Sequence, residues 1–381
     1  MTNNQTVKIS QSFARALTRK QIEEIVQAAQ TAPSGDNCQP WHFSSNDLEL
    51  RVALDVERDR HQFNRGHRAT HITWGFLTET IAIAASKHGW GVKAETVTTQ
   101  ATDLTRTRIP WGTLRFAPLD QPSVVDPLLP HLLTRSVDRR VFAGTAPPQE
   151  QLTRLDDFLA RIAKPVCTRR IAAPTAELRA ALIYSDQYMW ANPLVLEDVF
   201  NWFRLKKSEV ARTRDGMSRV ALALGRLDAF ALGLFRSRPR LLSKLWPVAL
   251  KPKTVGVAAQ QIDSSCGFIC FAVESPTRSA LEQAGRACCR TWLELHALGL
   301  VTQPLNSATL PAMDLICRDE PPGMPKEYRE HYLRLPALMN ASFGFPTGHV
   351  PAWLFRIGVA PKGERPLKSL RRDLSDALDF V

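Results

Sequence analysis

The sequence predicts an α+β protein in which helices and β-strands alternate along 381 residues. Two kinds of hydrophobic pattern carry this prediction. Apolar residues recur at three- or four-residue spacing in some segments, as in helices with one buried face. Other segments alternate apolar with polar residues or are short and apolar throughout, as in strands. The predicted helices cover 19–30, 67–88, 148–162 and 278–298. The predicted strands cover 48–54, 90–97, 111–117 and 264–273.

Chain length and two similar long helices raise the question of an internal repeat. At about 150 residues per domain, the length corresponds to two or three domains, or to one domain built twice. Gly75 and Gly89 are fourteen residues apart, and so are Gly285 and Gly299, at an offset of 210 residues. Two long helices also occur in chains without repeats, so this spacing leaves both alternatives open.

The composition excludes general disorder, because 44% of the residues are hydrophobic. Lys and Arg number 49 against 37 Asp and Glu, giving a net charge of +12, which favours an anionic partner.

The segment 219–253 holds eight of these basic residues, one Asp and many bulky aliphatic residues. It suits a helical lid over a cofactor, a peripheral membrane or hydrophobic-substrate contact, or a solvated basic face. Nucleic-acid binding is not predicted, because stacking aromatics are few in this segment.

The start of the chain, the cysteines and the histidines add three expectations. The first residues lack the apolar core of a secretory signal, and no stretch of about 20 residues is apolar enough to span a bilayer, so we expect a cytoplasmic protein. The seven cysteines form no pair of CxxC motifs, so buried, reduced thiols are expected. His67 and His71 lie one helical turn apart without a third ligand at suitable spacing, so we predict no metal site.

The loop from Ala32 to Trp41, with the sequence APSGDNCQPW, is the strongest candidate for a binding site. Its Ser, Gly and Asn residues can turn the backbone and offer N–H and amide groups to a planar polar ligand. Pro40 biases Gln39 away from helical conformation, which fixes the exit of the loop. An ordinary turn between a helix and a strand is the alternative.

This loop resembles the A-P-S-x-x-N-x-Q-P-W loop of the nitroreductase family of FMN-dependent oxidoreductases. Three later segments are similar to other elements of that family, at 135–142, 298–307 and 351–358. The resemblance implies mainly antiparallel sheets flanked by helices, with FMN as the cofactor. The FMN-binding residues that it implies are Pro33, Ser34, Asn37, Gln39, Arg135, Ser136, Arg139, Arg140, Pro304, Asn306, Ser307 and Arg356.

The resemblance also implies a role for each group of residues. Arginine forks at 135–140 would hold the FMN phosphate, with Arg356 approaching from the end of the chain. The loop side chains suit the flavin ring and ribityl chain, and Asn306 and Ser307 suit the edge where hydride arrives. Asp138 departs from the family pattern, which has Ser or a basic residue there. No catalytic side chain is assigned.

The order of these motifs favours a repeat. In ordinary nitroreductases the Arg/Ser segment precedes the A-P-S loop, and the two meet across a homodimer interface. Here the loop lies in the first half and the Arg/Ser segment opens the second. We therefore expect a fused pseudo-dimer with halves at 1–125 and 126–381, one surviving flavin site, and either a monomeric or a higher oligomeric state.

The resemblance implies three functions. In the first, NAD(P)H reduces FMN, which passes two electrons to a nitro, quinone, enone or imine-like acceptor. In the second, FMN oxidises a substrate in a biosynthetic pathway and is reoxidised by oxygen. In the third, the protein stores flavin beneath a lid formed by 219–253 and turns over little. The sequence leaves these three alternatives open.

Overall fold

The computed structural model describes residues 16–46, 48–97, 107–120, 124–363 and 368–381. The helices are α1 (Arg19–Ala29), α2 (Val56–Asp59), α3 (Arg68–Ser86), α4 (Leu129–Leu132), α5 (Gln149–Ala160), α6 (Ala176–Asp186), α7 (Tyr188–Ala191), α8 (Pro193–Asn201), α9 (Lys207–Thr213), α10 (Arg226–Phe235), α11 (Pro239–Ala249), α12 (Lys251–Asp263), α13 (Arg278–Ala297), α14 (Asn306–Ile316) and α15 (Lys326–Phe343). The strands are β1 (Trp41–Ser45), β2 (Glu49–Asp55), β3 (Trp90–Thr96), β4 (Arg108–Pro118), β5 (Val166–Ile171), β6 (Phe203–Arg204), β7 (Met217–Ser218), β8 (Gly267–Val273), β9 (Leu300–Pro304), β10 (Val350–Val359) and β11 (Leu378–Phe380).

Two larger sheets organise these strands. The first has the order β11-β1-β2-β4-β3 and the second has the order β5-β8-β10-β9. Neighbouring strands in both are antiparallel, except that β11 runs parallel to β1, with Leu378 opposite Phe43. A short parallel pair, β6 with β7, lies apart from them. The predicted α+β class with mainly antiparallel sheets is therefore confirmed.

The chain passes through the same order of elements twice. In the first sheet the order β1-β2-β4-β3 matches β5-β8-β10-β9 in the second, strand for strand. A helix precedes each set (α1 and α5), and a long helix (α3 and α13) connects the second strand to the third. The second set carries two insertions, α6–α12 between β5 and β8, and α14–α15 between β9 and β10.

The two long helices pack against each other through a reciprocal contact. A Cβ atom added to Gly75 on α3 would lie 1.9 Å from the carbonyl oxygen of Glu282 on α13. One added to Gly285 would lie 2.0 Å from the carbonyl oxygen of Ile72. Positions 72 and 75 become 282 and 285 at the offset of 210 residues. Such exchanged contacts are typical of equivalent surfaces related by a two-fold axis.

The ends of both long helices follow from local sequence. Thr277 caps α13, because its side-chain oxygen accepts a hydrogen bond from the backbone N–H of Ala280. Gly89 and Gly299 follow the C-terminal ends of α3 and α13 with φ angles of 78° and 75°. Glycine adopts this left-handed conformation without the steric cost that a Cβ atom adds, which explains why both helices end there.

The second sheet is buried on both faces. Ile269, Phe271 and Val273 on β8 belong to a core shared with the first sheet, α1, α3 and α13. Phe268 and Cys270 on the same strand belong to a second core formed with the inserted helices. All seven cysteines of the chain are free thiols.

Within the described ranges, no helix combines the length and apolar character needed to cross a bilayer.

Candidate functional site

The loop after α1 has an unusual backbone. Its centre, Gly35–Asn37, forms a short 3₁₀ turn. Asp36, Asn37 and Gln39 have φ angles of 48°, 60° and 49°. Residues other than glycine rarely adopt such values, because the Cβ atom crowds the backbone, so the loop must be held by its surroundings. One stabilising hydrogen bond lies within the loop, where the backbone N–H of Gln39 donates to Ser34 Oγ at 3.0 Å.

Two amide side chains tie this loop to distant segments. Asn37 Nδ2 donates to the carbonyl oxygen of Gly216 at 3.0 Å, and its Oδ1 accepts from Arg371 Nη1 at 2.7 Å. Gln39 Nε2 donates to the carbonyl oxygen of Arg214 at 3.0 Å, and its Oε1 accepts from the backbone N–H of Arg372 at 2.9 Å. Both side chains therefore fix the loop between the middle of the chain and its C-terminal segment.

Beside the loop lies a cavity of about 150 Å³, which we call the cationic cavity. Its lining includes Pro33, Ser34, Asp36, Asn37, Arg135, Ser136, Arg139, Met217, Ala221, Lys368 and Arg371. Asp36, the lining carboxylate, pairs with His61 Nε2 at 3.0 Å. Among the described residues, none of the four lining cations forms an ion pair with a carboxylate. The cavity therefore has a surplus of positive charge that an anion can neutralise.

Burial and mutual repulsion destabilise the charged form of these cations. Burial lowers the pKa of Arg135 to about 10. Burial lowers the pKa of Arg371 to about 9, and the neighbouring Arg135 charge contributes to the shift. The pKa of Lys368 falls for the same reasons, burial first and then repulsion by both arginines. A bound phosphate would offset each of these costs, because arginine forks bind its oxygens through charge-assisted hydrogen bonds.

Arg135 is positioned by contacts of its own. Its Nη2 donates to the carbonyl oxygen of Thr31 at 2.6 Å. Its guanidinium carbon lies 4.1 Å from the ring centroid of Trp292. Stacking on an indole ring leaves the guanidinium edge free for hydrogen bonds in the ring plane, which suits recognition of a phosphate.

A second cavity, of about 250 Å³, adjoins the first and shares with it Ser34, Arg139 and Trp292. We call it the aromatic cavity. Its further lining includes Cys38, Phe63, Trp202, Pro304, Asn306, Ser307 and Trp353. Burial raises the pKa of the Cys38 thiol well above its usual range, so this thiol stays protonated and is a poor nucleophile. Large apolar walls with a few polar groups are typical of sites for planar small molecules.

Two residues that line the aromatic cavity carry a hydrogen-bond acceptor and a donor without described partners. Asn306 Oδ1 and Trp353 Nε1 are buried and bond to none of the residues that the structure describes. Buried polar atoms in folded proteins almost always have a partner, so these two residues suit a ligand that supplies both a donor and an acceptor. A flavin ring carries both kinds of group along its polar edges.

Similarity to known proteins is visible only in three dimensions. No protein-family model matches the sequence, and a search of curated proteins finds no significant match. A provisionally assigned nitroreductase from Anabaena variabilis is similar in structure, with a TM-score of 0.51 and 9% identity over 90% of this chain and 88% of that one. The chain has a nitroreductase-like fold.

Two further nitroreductase structures are similar over part of the chain. The FMN-dependent nitroreductase NfnB from Mycobacterium smegmatis, in complex with NADPH, has a TM-score of 0.37 and 11% identity over 66% of this chain and 96% of that one. A nitroreductase with bound FMN from Desulfitobacterium hafniense has a TM-score of 0.35 and 12% identity over 68% of this chain and 100% of that one.

Within this nitroreductase-like fold, most of the sequence-predicted site residues come together. Those that line one of the two cavities are Pro33, Ser34, Asn37, Arg135, Ser136, Arg139, Pro304, Asn306 and Ser307. They derive from the loop after α1, from the segment before α5, and from the junction of β9 with α14. Three segments far apart in sequence therefore meet at one place.

Gln39, Arg140 and Arg356 are not among the residues that line either cavity. Arg140 forms an ion pair with Asp138 at 2.6 Å, which is the consequence of the carboxylate that departs from the family pattern. Arg356 is fully buried in β10, and its Nη1 and Nη2 donate to the carbonyl oxygens of Gln261 and Arg140 at 2.8 and 2.7 Å. The structure thus places the Arg356 guanidinium in the core, bonded to main-chain carbonyl oxygens and outside the lining of both cavities.

Lys368 and Arg371 line the cationic cavity, and the sequence motifs do not identify them. They lie in the basic stretch KSLRR near the end of the chain. The sequence signal that points to Lys368 and Arg371 is the positive charge of this stretch, since clustered basic residues are candidates for an anion site.

The histidines considered as metal ligands have other partners. His67 Nδ1 lies 2.6 Å from Asp59 Oδ2, and His71 stacks on Trp111 with ring centroids 5.4 Å apart. No group of three or more His, Cys, Asp or Glu side chains is arranged to hold a metal within the part of the chain that the structure describes.

Proposed function

We propose that this protein is an FMN-dependent oxidoreductase that transfers two electrons between NAD(P)H and a small organic acceptor, with one FMN per chain. The observation that supports this most directly is the pair of adjoining cavities. One is rich in cations that form no ion pair with a described carboxylate. The other is lined by tryptophans, and two of its lining residues carry an acceptor and a donor that no described residue pairs. A ligand with an anionic end and a planar heterocyclic end matches both.

At the anionic end, the FMN phosphate would be held by arginine and lysine side chains from two segments. Arg135 and Arg139 lie before α5, and Lys368 and Arg371 lie near the C-terminus. The hydroxyls of Ser34 and Ser136 line the same cavity and suit the ribityl chain. A phosphate among these four cations would also offset the burial and the mutual repulsion that lower the pKa of Lys368 and Arg371.

At the heterocyclic end, the residues of this chain orient the ring and exclude water. Asn306 can accept and Trp353 can donate a hydrogen bond, while Trp292 and Phe63 supply apolar walls. When bound, FMN supplies the chemistry of hydride acceptance and donation. Positive charge from Arg139, which lines both cavities, favours the anionic reduced form of such a ring.

We further infer that the chain is a fused pseudo-dimer with halves at 1–125 and 126–381. The repeated strand order and the reciprocal contact between Gly75 and Gly285 support this division. The composition of the candidate site also supports this division, because the loop at 32–41 comes from one half and the cation-bearing segments come from the other. A single composite site of this kind predicts one FMN per chain.

The test is to count flavin and to follow its reduction. Purified protein, reconstituted with FMN if necessary, is expected to hold one FMN per chain by absorbance. Its yellow colour is expected to bleach anaerobically with NADH or NADPH, and adding a quinone or nitroaromatic should restore it. Failure to bind flavin at all would overturn the assignment of the cofactor. Two FMN per chain would overturn the single-site proposal.

Flavin storage is the second candidate function. Met217 and Ala221 line the cationic cavity from the middle segment, and Arg139 Nη1 donates to the carbonyl oxygen of Ala221 at 3.0 Å. This contact holds a piece of the middle segment against the cavity, as expected of a cover. Bound flavin that neither NADH nor NADPH bleaches, but that dithionite does, would favour storage over NAD(P)H-dependent turnover.

A further inference from the structure

The helix α10 is apolar on its solvent side as well as on its core side. Leu227, Phe230 and Leu234 follow helical spacing on one face and are between 64% and 84% exposed. Leu232 and Phe235 on the other side pack against the second core. A helix that is apolar all round is normally buried, so the exposed face of α10 lacks a partner among the described residues.

The next helix, α11, repeats this arrangement. Leu241, Leu245 and Val248 lie on one helical face and are between 41% and 89% exposed. The opposite face is firmly packed, because Leu242 and Trp246 are buried in the core. Its position is fixed further by Ser243 Oγ, which donates to the carbonyl oxygen of Trp190 at 2.8 Å. The exposed apolar face is therefore a property of a well-packed helix and not of a loose one.

Basic side chains accompany these two faces. Arg236, Arg240 and Lys253 have carboxylate partners in Glu209, Glu197 and Asp228. Arg226, Arg238 and Lys244 are exposed and form no ion pair with any described carboxylate. The surface of α10 and α11 thus combines exposed apolar residues with uncompensated positive charge, which we call the basic apolar surface.

We propose that the basic apolar surface docks this protein onto an anionic lipid membrane. Helices that lie in the membrane interface bury Leu and Phe at the boundary of headgroups and acyl chains and place Lys and Arg against anionic headgroups. A second copy of the chain is the weaker occupant, because it would bring the same positive charges together. The proposal goes beyond the proposed function and does not depend on it.

The test is co-sedimentation of the full-length protein with lipid vesicles. Vesicles of phosphatidylcholine mixed with phosphatidylglycerol are expected to bind the protein at physiological salt, and high salt should weaken this binding because it screens the attraction. Phosphatidylcholine alone is expected to bind at least tenfold more weakly. Equal binding to both vesicle types, or binding to neither, would overturn the proposal.

Charge variants sharpen this test. The variant R226Q/R238Q/K244Q is expected to bind the anionic vesicles about a hundredfold more weakly, since each basic residue near the surface contributes about fivefold. A matched control removes three exposed lysines elsewhere, K20Q/K93Q/K326Q, and should change binding by less than about threefold. A control loss as large as that of the first variant would mean that net charge alone drives binding, and would overturn the assignment of this surface.

Apolar variants complete the test. The variant L227Q/F230Q/L234Q is expected to lose at least tenfold in affinity for the same vesicles. Its control, L48Q/I316Q/L333Q, replaces three exposed apolar residues elsewhere and should bind normally. Sedimentation without lipid distinguishes the other occupant. A dimer that L227Q/F230Q/L234Q converts to monomer would assign the surface to a second copy and overturn the lipid proposal.

Discussion

The two strand sets of the molecule have the same order, but equivalent positions in them make different contacts. Arg68 begins α3, and Arg278, 210 residues later, begins α13. Arg68 Nη1 pairs with the buried Asp314 on α14 at 2.9 Å. Arg278 pairs with Glu282 on its own helix at 2.9 Å, donates to the carbonyl oxygen of Val97 at 2.9 Å and lies over the ring of Trp111 at 4.8 Å. The carboxylate that pairs with Arg68 comes from an inserted helix, whereas the one that pairs with Arg278 lies one turn along the same helix, so the insertion accounts for the different partners of the two arginines.

The insertions and the chain ends also decide where the candidate site lies. The first half contributes a strained loop, and the second contributes the cations and the junction of β9 with α14. Similar strand order therefore predicts little about ligand binding. Site chemistry depends on the segments that each half adds to its sheet.

The largest loss of stability is expected where the long helices α3 and α13 pack most closely. Gly285→Ala places a methyl group 2.0 Å from the carbonyl oxygen of Ile72, and Gly75→Ala makes the corresponding clash with Glu282. Because backbone atoms cannot move aside, each variant should lose about 3 kcal/mol in the free energy of unfolding, measured with urea. Equal losses would strengthen the equivalence of the halves.

Gly256→Ala on α12 is the control, because nothing lies within 4 Å of the added atom. It should gain about 0.5–1 kcal/mol from helix propensity and chain entropy. If Gly285→Ala is as benign as Gly256→Ala, the two long helices do not pack as closely as described.

The second-largest effect is expected on FMN affinity when arginines are removed from the cationic cavity. Arg135→Ala combined with Arg139→Ala should weaken FMN binding by about 1.5–3 kcal/mol for each charge-assisted hydrogen bond to the phosphate that is removed, measured by fluorescence titration. Riboflavin, which has no phosphate, should bind the variant and the natural protein with similar affinity. Arg140→Gln is the matched control, since its partner is Asp138, and it should change FMN affinity by less than about threefold. An equal loss for riboflavin would contradict the placement of the phosphate.

A smaller effect is expected in the aromatic cavity. Trp353→Phe removes the unpaired Nε1 donor and should weaken FMN and riboflavin alike by about 0.5–1.5 kcal/mol. The contrasting residue is Trp111 on β4 of the first sheet, whose Nε1 is also buried with no hydrogen-bond partner among the described residues. Trp111→Phe should leave flavin binding unchanged, because Trp111 lines neither cavity. A loss for Trp111→Phe equal to that for Trp353→Phe would place a flavin in both halves.

The smallest expected effect is a difference in pH dependence. Burial raises the pKa of Asp314 to about 7, although Arg68 opposes the shift. The folded state therefore binds a proton more tightly than the unfolded state, and this carboxyl makes stability fall as pH rises from about 4 to about 7. Asp314→Asn should remove that component, so its stability relative to the natural protein should improve between pH 5 and pH 8. If the free energy of unfolding changes with pH in the same way in both proteins, Asp314 does not have a raised pKa in the folded state.

The sequence predicted the helices well and the strands less well. Hydrophobic spacing located 67–88 and 278–298, and the structure has helices at Arg68–Ser86 and Arg278–Ala297. Sequence reasoning does not find β1, because the loop motif extends to Trp41, where that strand begins. The strand β10 is buried almost throughout, so its residues show no alternation of apolar and polar side chains.

Sequence motifs predict some of the site residues and misplace others, for a physical reason. A motif gives residue types along the chain, but not the direction in which a side chain points. Arg356 matched a basic family segment, yet it lies inside a buried sheet and bonds to carbonyl oxygens. Arg371 lies more than 330 residues after Asn37 in sequence, and only the fold brings the two into contact.

The pairing of β11 with β1 connects the cationic cavity to the edge of the first sheet. The last strand lies at Leu378–Phe380, and Lys368 and Arg371 precede it by a few residues. Two of the four cations that line the cationic cavity therefore depend for their position on a strand at the edge of the first sheet. Detachment of that edge strand would withdraw half of the cations, so the local stability of β11 and the affinity of the cavity for an anion are coupled.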